Sequence, residues 1–156
     1  TFAREKTKKI SRGTFMINKL IEGISKKLYE VLGDIKIYVE EVPQNFVTPC
    51  FYVKCLTHSD NLMLFDTKKK ITKFDILYFP AENNLNKEYE VNNVLGMLVD
   101  SLNIIESEGH KVKGFNITTE KVDGVLHFFV DYNIALIKPG EDIKMENLKE
   151  RTDVNG

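Results

Sequence analysis

The chain has 156 residues and carries 22 lysines and arginines against 23 aspartates and glutamates, a formal net charge of -1. This length predicts one domain whose core needs no metal or disulfide, and the even charge balance argues against general nucleic-acid binding. No apolar run reaches the ~20 residues that cross a bilayer and the polar start shows no signal peptide, so we expect action in the cytosol or in a particle assembled there.

The chain opens on a basic segment, residues 1–15, with few apolar positions. Two interpretations stay open: Met16 is the native start, or the segment is a basic arm that orders against a neighbour. From Ile17 to Leu32 apolar residues recur at steps of three and four, and Gly33 stands where helices commonly end. This spacing predicts an amphipathic helix packed on a core.

After this helix the apolar period changes to two, which indicates β-strands. Pro43 and Pro49 bracket an irregular connection between the first two strands. The later strands form a hairpin or a long meander, with Lys68, Lys69 and Lys70 near its tip. The predicted strands before the second helix are residues 35–40, 50–56, 62–65 and 71–79.

A second amphipathic helix is predicted from the apolar stripe between Val91 and Ile105, and Gly109 follows its end. Two further strands are joined at Asp123-Gly124, a pair that favours the type I′ turn of a tight hairpin. In the last strand alternate residues are apolar and face one way: Leu126, Phe128, Val130, Tyr132, Ile134 and Leu136.

These elements predict an α+β fold in the order α-β-β-β-β-α-β-β, with two helices packed on one face of a mostly antiparallel sheet. We divide the chain into a basic N-terminal extension (1–15), a single α+β domain (16–139) and a polar C-terminal tail (140–156).

A search for catalytic signatures finds no nucleophile elbow, no phosphate-binding glycine loop and no metal-binding spacing. The three histidines, His58, His110 and His127, are isolated in sequence. Cys50 and Cys55 lie on one predicted strand and point to opposite faces, so they cannot bridge each other. We therefore expect no enzyme and no catalytic, cofactor-binding or metal-binding residues.

The segment KKKITK, Lys68 to Lys73, has two interpretations. It is either a contact for an acidic partner or phosphate backbone, or a solvated tip whose charges prevent edge-to-edge pairing. Aromatic residues on both faces of the sheet favour partial cover by another subunit. The candidate assembly residues are Lys68, Lys69, Lys70, Lys73, Phe74, Tyr78, Phe129 and Asp131.

Three phrases carry a resemblance to a known family: MINKLIEGISKKLYEVLGDIKIYVEEVPQNFVTPCFYVKCL, then EVNNVLGMLVDSL, then FFVDYNIALIKP. Together they resemble the tail terminator (tail completion) proteins of long-tailed bacteriophages and phage-like particles. The resemblance is to the small group in prophage tail operons of Gram-positive bacteria, and it covers Met16 to about Pro139.

The resemblance implies a protein without cofactors that forms a ring, usually a hexamer, on the end of the tail tube. The ring stops tube polymerisation and provides the surface for head joining or the sheath end. Its implied partners are further copies of itself, the tail tube protein, and a sheath protein or head–tail connector. DNA would only pass through the lumen, no membrane is involved, and assembly takes place in the bacterial host cytoplasm.

Two other classes of function stay open. A head–tail connector or adaptor would contact the portal or DNA through KKKITK and the basic N-terminus. A small enzyme would build its site from scattered histidines and aspartates.

Overall fold

The computed structural model describes residues 12–62 and 68–136. Within them lie two helices and a six-stranded sheet in the order β1-β2-β3-β6-β5-β4, which confirms the α+β class. Neighbouring strands are antiparallel except for β1 and β2, which are parallel. The elements are α1 Arg12–Leu32, β1 Lys36–Tyr38, β2 Cys50–Leu62, β3 Lys68–Phe79, α2 Lys87–Ser101, β4 Ile104–Ser107, β5 His110–Val122 and β6 Val125–Leu136.

The element order among the described residues is α-β-β-β-α-β-β-β, which differs from the prediction on both sides of α2. Leu62, predicted to start a separate strand, is the last residue of β2, and residues 63–65 lie outside the described residues. The short strand β4 follows α2 at once, where the prediction had continued the helix to Ile105. Lys68, Lys69 and Lys70 are the first residues of β3.

Helix α1 follows from its apolar stripe, in which Leu20, Ile24 and Leu28 are at most 1% exposed. It begins at Arg12, before the predicted first turn. It ends at Leu32, and the φ of +77° at Gly33 suits the left-handed position after a helix. The Gly33 N–H donates to the Tyr29 carbonyl oxygen at 2.9 Å and so closes the last turn.

Gly23 lets α1 approach β4 unusually closely. A Cβ at this position would lie 2.5 Å from the carbonyl oxygen of Glu106. Only a residue without a side chain permits such a backbone contact. The helix is therefore seated directly on the β4 backbone at the edge of the sheet.

Helix α2 buries Val91, Val94 and Leu98. Its C-terminal end is attached to the sheet by the buried Tyr132 hydroxyl, which donates to the Leu102 carbonyl oxygen at 2.7 Å. Burial raises the pKa of Tyr132, so the hydroxyl keeps its proton at any ordinary pH.

Both helices lie on the same face of the sheet, as predicted. Their buried residues form one hydrophobic cluster with residues of β2, β3 and β6. We call this side of the sheet the covered face. Its fully or almost fully buried strand residues are Phe51, Val53, Phe74, Ile76, Tyr78, Leu126, Phe128, Val130 and Tyr132.

Candidate assembly surface

The opposite side of the sheet, which we call the bare face, carries the alternate residues of the same strands. The segment 39–49 contributes contacts over one end of it. There the Tyr52 hydroxyl donates to the Glu40 carbonyl oxygen at 3.1 Å, and the rings of Phe46 and Phe79 meet edge to face at 4.9 Å. The peptide bond that closes this segment, Thr48–Pro49, is cis.

The centre of the bare face holds an aspartate–histidine pair. Asp75 and His127 lie on the adjacent strands β3 and β6, and the His127 Nδ1 is 2.9 Å from the Asp75 Oδ2. The His127 ring stacks on Phe129 with its centroid 6.0 Å away. A carboxylate that holds one ring nitrogen orients the imidazole. Sequence alternation placed His127 on this face, but the β3–β6 pairing that brings Asp75 to it was not readable from the sequence.

A second buried carboxylate, Asp131, lies near this pair. Its Oδ2 accepts a hydrogen bond of 3.0 Å from the Asn116 side-chain amide. Asn116 has a positive φ of 51° at the irregularity where β5 bulges against β6. The bulge therefore directs this amide toward β6. Sequence patterns do not predict bulges, so this contact could not be expected from the sequence.

Three acceptor oxygens on this face are buried without a hydrogen-bond partner among the described residues: Asp75 Oδ1, Asp131 Oδ1 and Asn133 Oδ1. Asp75 and Asp131 are each only 7% exposed. A buried acceptor left unsatisfied costs about 1–3 kcal/mol. The bare face therefore has polar groups that a donor from outside the described residues would stabilise.

The lysines of the predicted assembly set differ in their surroundings. Lys68 is exposed and Lys69 and Lys73 are partly exposed, whereas Lys70 is only 7% exposed. The Lys70 ammonium lies 3.5 Å from the Asp60 carboxylate on the neighbouring strand β2. Lys70 is thus already neutralised within the chain, and Lys68, Lys69 and Lys73 remain the cations that a partner can reach.

Two aromatic members of the predicted set, Phe74 and Tyr78, belong to the covered face. Phe74 is 0% exposed and Tyr78 is 3% exposed. The Tyr78 hydroxyl donates to Glu90 on α2, and the Asn84 amide donates to the other oxygen of the same carboxylate. In this conformation both aromatic residues hold the core together, and the set is split between the two faces.

The Tyr78–Glu90 contact changes the acidity of both groups. Burial, together with the hydrogen bond to Glu90 and its charge, raises the pKa of Tyr78 well above its usual range. The hydrogen bond from Tyr78 lowers the pKa of Glu90, with a further contribution from Asn84. The carboxylate form of Glu90 is therefore stabilised at neutral pH.

A groove of about 690 Å³ lies between the start of α1, the β4–β5 hairpin and the end of β6. Its polar lining includes Lys19, Lys111, Lys113 and His110, while Met16 and Phe115 contribute apolar surface. The lining also includes Glu108, so the groove has mixed charge with more lysines than carboxylates. No sequence pattern predicts the groove, because its lining comes from α1, β4, β5 and β6, which are separate in the chain.

Residues 12–62 and 68–136 contain no assembled metal site and no activated cysteine. No cluster of histidine, cysteine, aspartate and glutamate there could hold a metal ion. Cys50 and Cys55 are both free, and burial raises the pKa of each thiol, which makes it a poorer nucleophile. In the part of the chain that the structure describes, neither helix combines the length and apolar content needed to span a bilayer.

Comparison with known proteins adds what the geometry leaves open. The model of the phage tail terminator protein family matches residues 19–144. The chain belongs to this family. The search of curated proteins found no match. One solved structure aligns over 78% of this chain and 96% of its own length, with 12% identity and a TM-score of 0.40. An alignment with that TM-score supports no conclusion about either chain.

Membership of the tail terminator family fixes the broad role of the chain. It is a structural protein of phage tail completion, a component of the phage particle that contacts other tail proteins. The family is a structural one and not a class of enzymes. The resemblance to tail terminators that the sequence suggested is thereby confirmed, with the match extending past Pro139 to residue 144.

Proposed function

We propose that this tail terminator protein assembles into a closed hexameric ring on the end of the tail tube. The ring ends tube polymerisation and offers its far side to a head–tail connector or the last sheath ring. The observation that carries the proposal is the family match over residues 19–144. The folded unit would be residues 16–139, with residues 1–15 and 140–156 as terminal arms.

Two properties of the chain support ring assembly. The formal net charge of -1 limits repulsion among identical subunits packed side by side. The bare face presents partly exposed Phe129 and buried carboxylate oxygens without a partner among the described residues, the kind of surface that another protein of the tail assembly would complete. A head-to-tail contact that closes by rotation is what a ring of identical chains requires.

We place the partner contacts on the accessible part of the predicted set, namely Lys68, Lys69, Lys73 and Phe129. Asp131 would support this surface from within the bare face, since it is mostly buried and accepts a hydrogen bond from Asn116. Lys70 alternates with Lys69 in β3 and therefore projects to the other side of the sheet, where it lies beside Asp60. Phe74 and Tyr78 would act only through the stability of the core.

Native mass spectrometry of the purified chain, alone and with tail tubes, tests the ring. We expect a closed oligomer whose mass is that of six subunits, formed either in solution or on the tube end. In cells lacking the protein, electron micrographs should show tails longer than the normal length. A chain that stays monomeric with and without tubes, or a deletion that leaves tail length unchanged, would refute the proposal.

Charge reversal tests the lysine contact. The triple variant Lys68→Glu, Lys69→Glu, Lys73→Glu should lower tube capping at least tenfold while the folded chain keeps its circular dichroism spectrum. The control variant Lys26→Glu, Lys27→Glu changes lysines of α1, which is distant from β3 in the sequence. This variant should cap tubes normally. Normal capping by the triple variant would remove these lysines from the contact.

A second candidate, a head–tail connector that touches DNA, is favoured by one observation. Three consecutive lysines begin β3, and Lys68 is exposed at its start. Binding to the phosphate backbone would weaken steeply with salt because counterions are released. DNA binding by the wild-type chain that falls with salt and is lost in the triple variant would favour the connector over the tube cap.

A further inference from the structure

One edge of the sheet is open along most of β2. The register of β1 reaches only Cys50–Tyr52 of β2. Among the described residues, Val53–Leu62 therefore has a strand on one side only, which is β3. Such an edge presents unpaired N–H and C=O groups. It also exposes large apolar side chains, since Leu56 is 39% exposed and Leu62 is 72% exposed.

The other edge of the sheet is open along most of β5. The register of β4 reaches only His110–Lys113 of β5. Beyond Gly114, whose N–H donates to the Asn103 carbonyl oxygen, no described strand lies outside the stretch from Phe115 to Val122. Phe115 and Val122 are both 42% exposed. Each edge of the same sheet thus combines exposed apolar residues with backbone that no strand of the described chain pairs with.

The directions of these two strands are complementary. Between β2 and β5 lie β3 and β6, and every neighbouring pair in this series is antiparallel. β2 and β5 therefore run in opposite directions. When copies of the chain are related by a simple rotation, β5 of one copy meets β2 of the next in an antiparallel pair, the same arrangement as inside the sheet.

The two open stretches are also staggered along the strands. The register places Glu120 of β5 level with Tyr52 of β2, the end of β2 that β1 occupies. It places Gly114 level with His58, so β4 occupies the opposite end of the sheet. β1 and β4 thus block diagonally opposite corners. A sheet that closes on itself needs tilted strands and a stagger of this kind.

Bulges narrow the regular part of each open edge. The register shifts between Cys55 and Thr57 in β2, and between Phe115 and Thr118 in β5. A bulge interrupts the ladder of hydrogen bonds and bends the strand. The regular, unpaired segments that remain are Thr57–Leu62 and Thr118–Val122.

We propose that Thr118–Val122 of one chain pairs antiparallel with Thr57–Leu62 of the next, so that the sheets of neighbouring subunits join at their edges. This inference rests on the proposed ring and identifies its subunit contact. β1 and β4 act as stops that permit only the staggered register. The bare face is then left free for the tail tube or another tail protein.

Lysine substitutions at the edges test this contact, since a lysine on a sheet edge opposes strand pairing. Leu62→Lys and Val122→Lys should each weaken ring assembly at least tenfold in analytical ultracentrifugation. The controls are residues of matched exposure on α2: Tyr89 at 70% for Leu62 and Met97 at 43% for Val122. Tyr89→Lys and Met97→Lys should assemble as the wild type does. Circular dichroism confirms that every variant is folded.

Hydrogen exchange on the wild-type ring gives a second readout that needs no substitution. If the edges are paired, the amide hydrogens of Thr57–Leu62 and Thr118–Val122 should exchange at rates within about tenfold of those in β3, which lies inside the sheet. Unpaired edges would leave their outward amides exchanging at the rate of the exposed loop before α2.

The outcomes separate the two proposals. If rings form while both edges exchange like the loop, or while Leu62→Lys and Val122→Lys assemble normally, the edge contact is refuted and the ring stands. If the wild-type chain forms no ring on its own or on tubes, the ring proposal fails and the edge contact fails with it.

Discussion

On the covered face of the sheet, Phe128 and Val130 of β6 are 0% exposed beneath the helices, whereas the alternating residues Phe129 and Asp131 point to the bare face. Beneath the helices, the covered face consists almost entirely of apolar side chains that pack against one another. The bare face mixes rings with carboxylates, some of whose oxygens have no partner among the described residues. One strand thus serves stability with half of its residues, and its other half remains available for a partner.

The largest expected effect comes from the neighbours Phe128 and Phe129. Phe128→Ala removes a fully buried ring and should lower the free energy of unfolding by about 3–5 kcal/mol in urea titrations. Phe129→Ala on the bare face should cost about 1 kcal/mol or less but should weaken binding to other tail proteins. Equal losses of stability in the two variants would contradict the division between the faces.

A smaller effect is expected where α1 meets β4. Gly23→Ala forces a Cβ against the Glu106 backbone and should cost about 1–3 kcal/mol, although alanine is the better helix former. Gly96→Ala on α2 is the matched control because nothing lies within 4 Å of its Cβ position. That control should gain about 0.5–1 kcal/mol. Thermal unfolding distinguishes the opposite signs.

The smallest effect concerns the contact between α2 and the covered face. Tyr78→Phe removes the hydroxyl that donates to Glu90 and should cost about 1 kcal/mol at neutral pH. The pKa of Glu90 is lowered in the folded chain, so its contribution is full above the ordinary carboxyl pKa and is lost as the pH falls through the lowered value. Wild type and variant should therefore converge in stability at acidic pH. A difference that persists unchanged into strong acid would show that Glu90 is not the partner.

Much of the fold was predictable because local patterns dominate in it. The stripe of α1, the α2 stripe from Val91 to Leu98, the alternation of β6 and the Asp123-Gly124 turn all appear where the sequence placed them. Asp123 and Gly124 both have positive φ values, as a type I′ turn requires.

Strand β4 was missed for a physical reason. Leu98, Leu102 and Ile105 continue the helical spacing, so the period alone could not show where α2 ends. The sequence signal that could have revealed the hairpin is the glycine of the Glu108-Gly109 pair. In the structure these two residues have φ values of 51° and 77°, which match those of the Asp123-Gly124 turn. A second turn of this kind implies a strand on each side of it.

The candidate assembly residues were harder to predict than the fold. Alternation in β3 separates Phe74, Ile76 and Tyr78 from Asp75, Leu77 and Phe79, but both sets contain aromatic residues. Which set the helices cover depends on packing between distant elements. For the same reason the Asp75–His127 pair required the register of β3 against β6.

The segment 39–49 has a consequence for the size of whatever binds the bare face. It covers one end of that face, where Phe46 packs against Phe79 and the Glu40 carbonyl oxygen accepts a hydrogen bond from Tyr52, whereas Lys69 and Lys73 toward the opposite end are partly exposed. Segment 39–49 therefore limits how far a partner can extend along the strands toward that end. The chain itself thus sets one boundary of the footprint of any partner on the bare face.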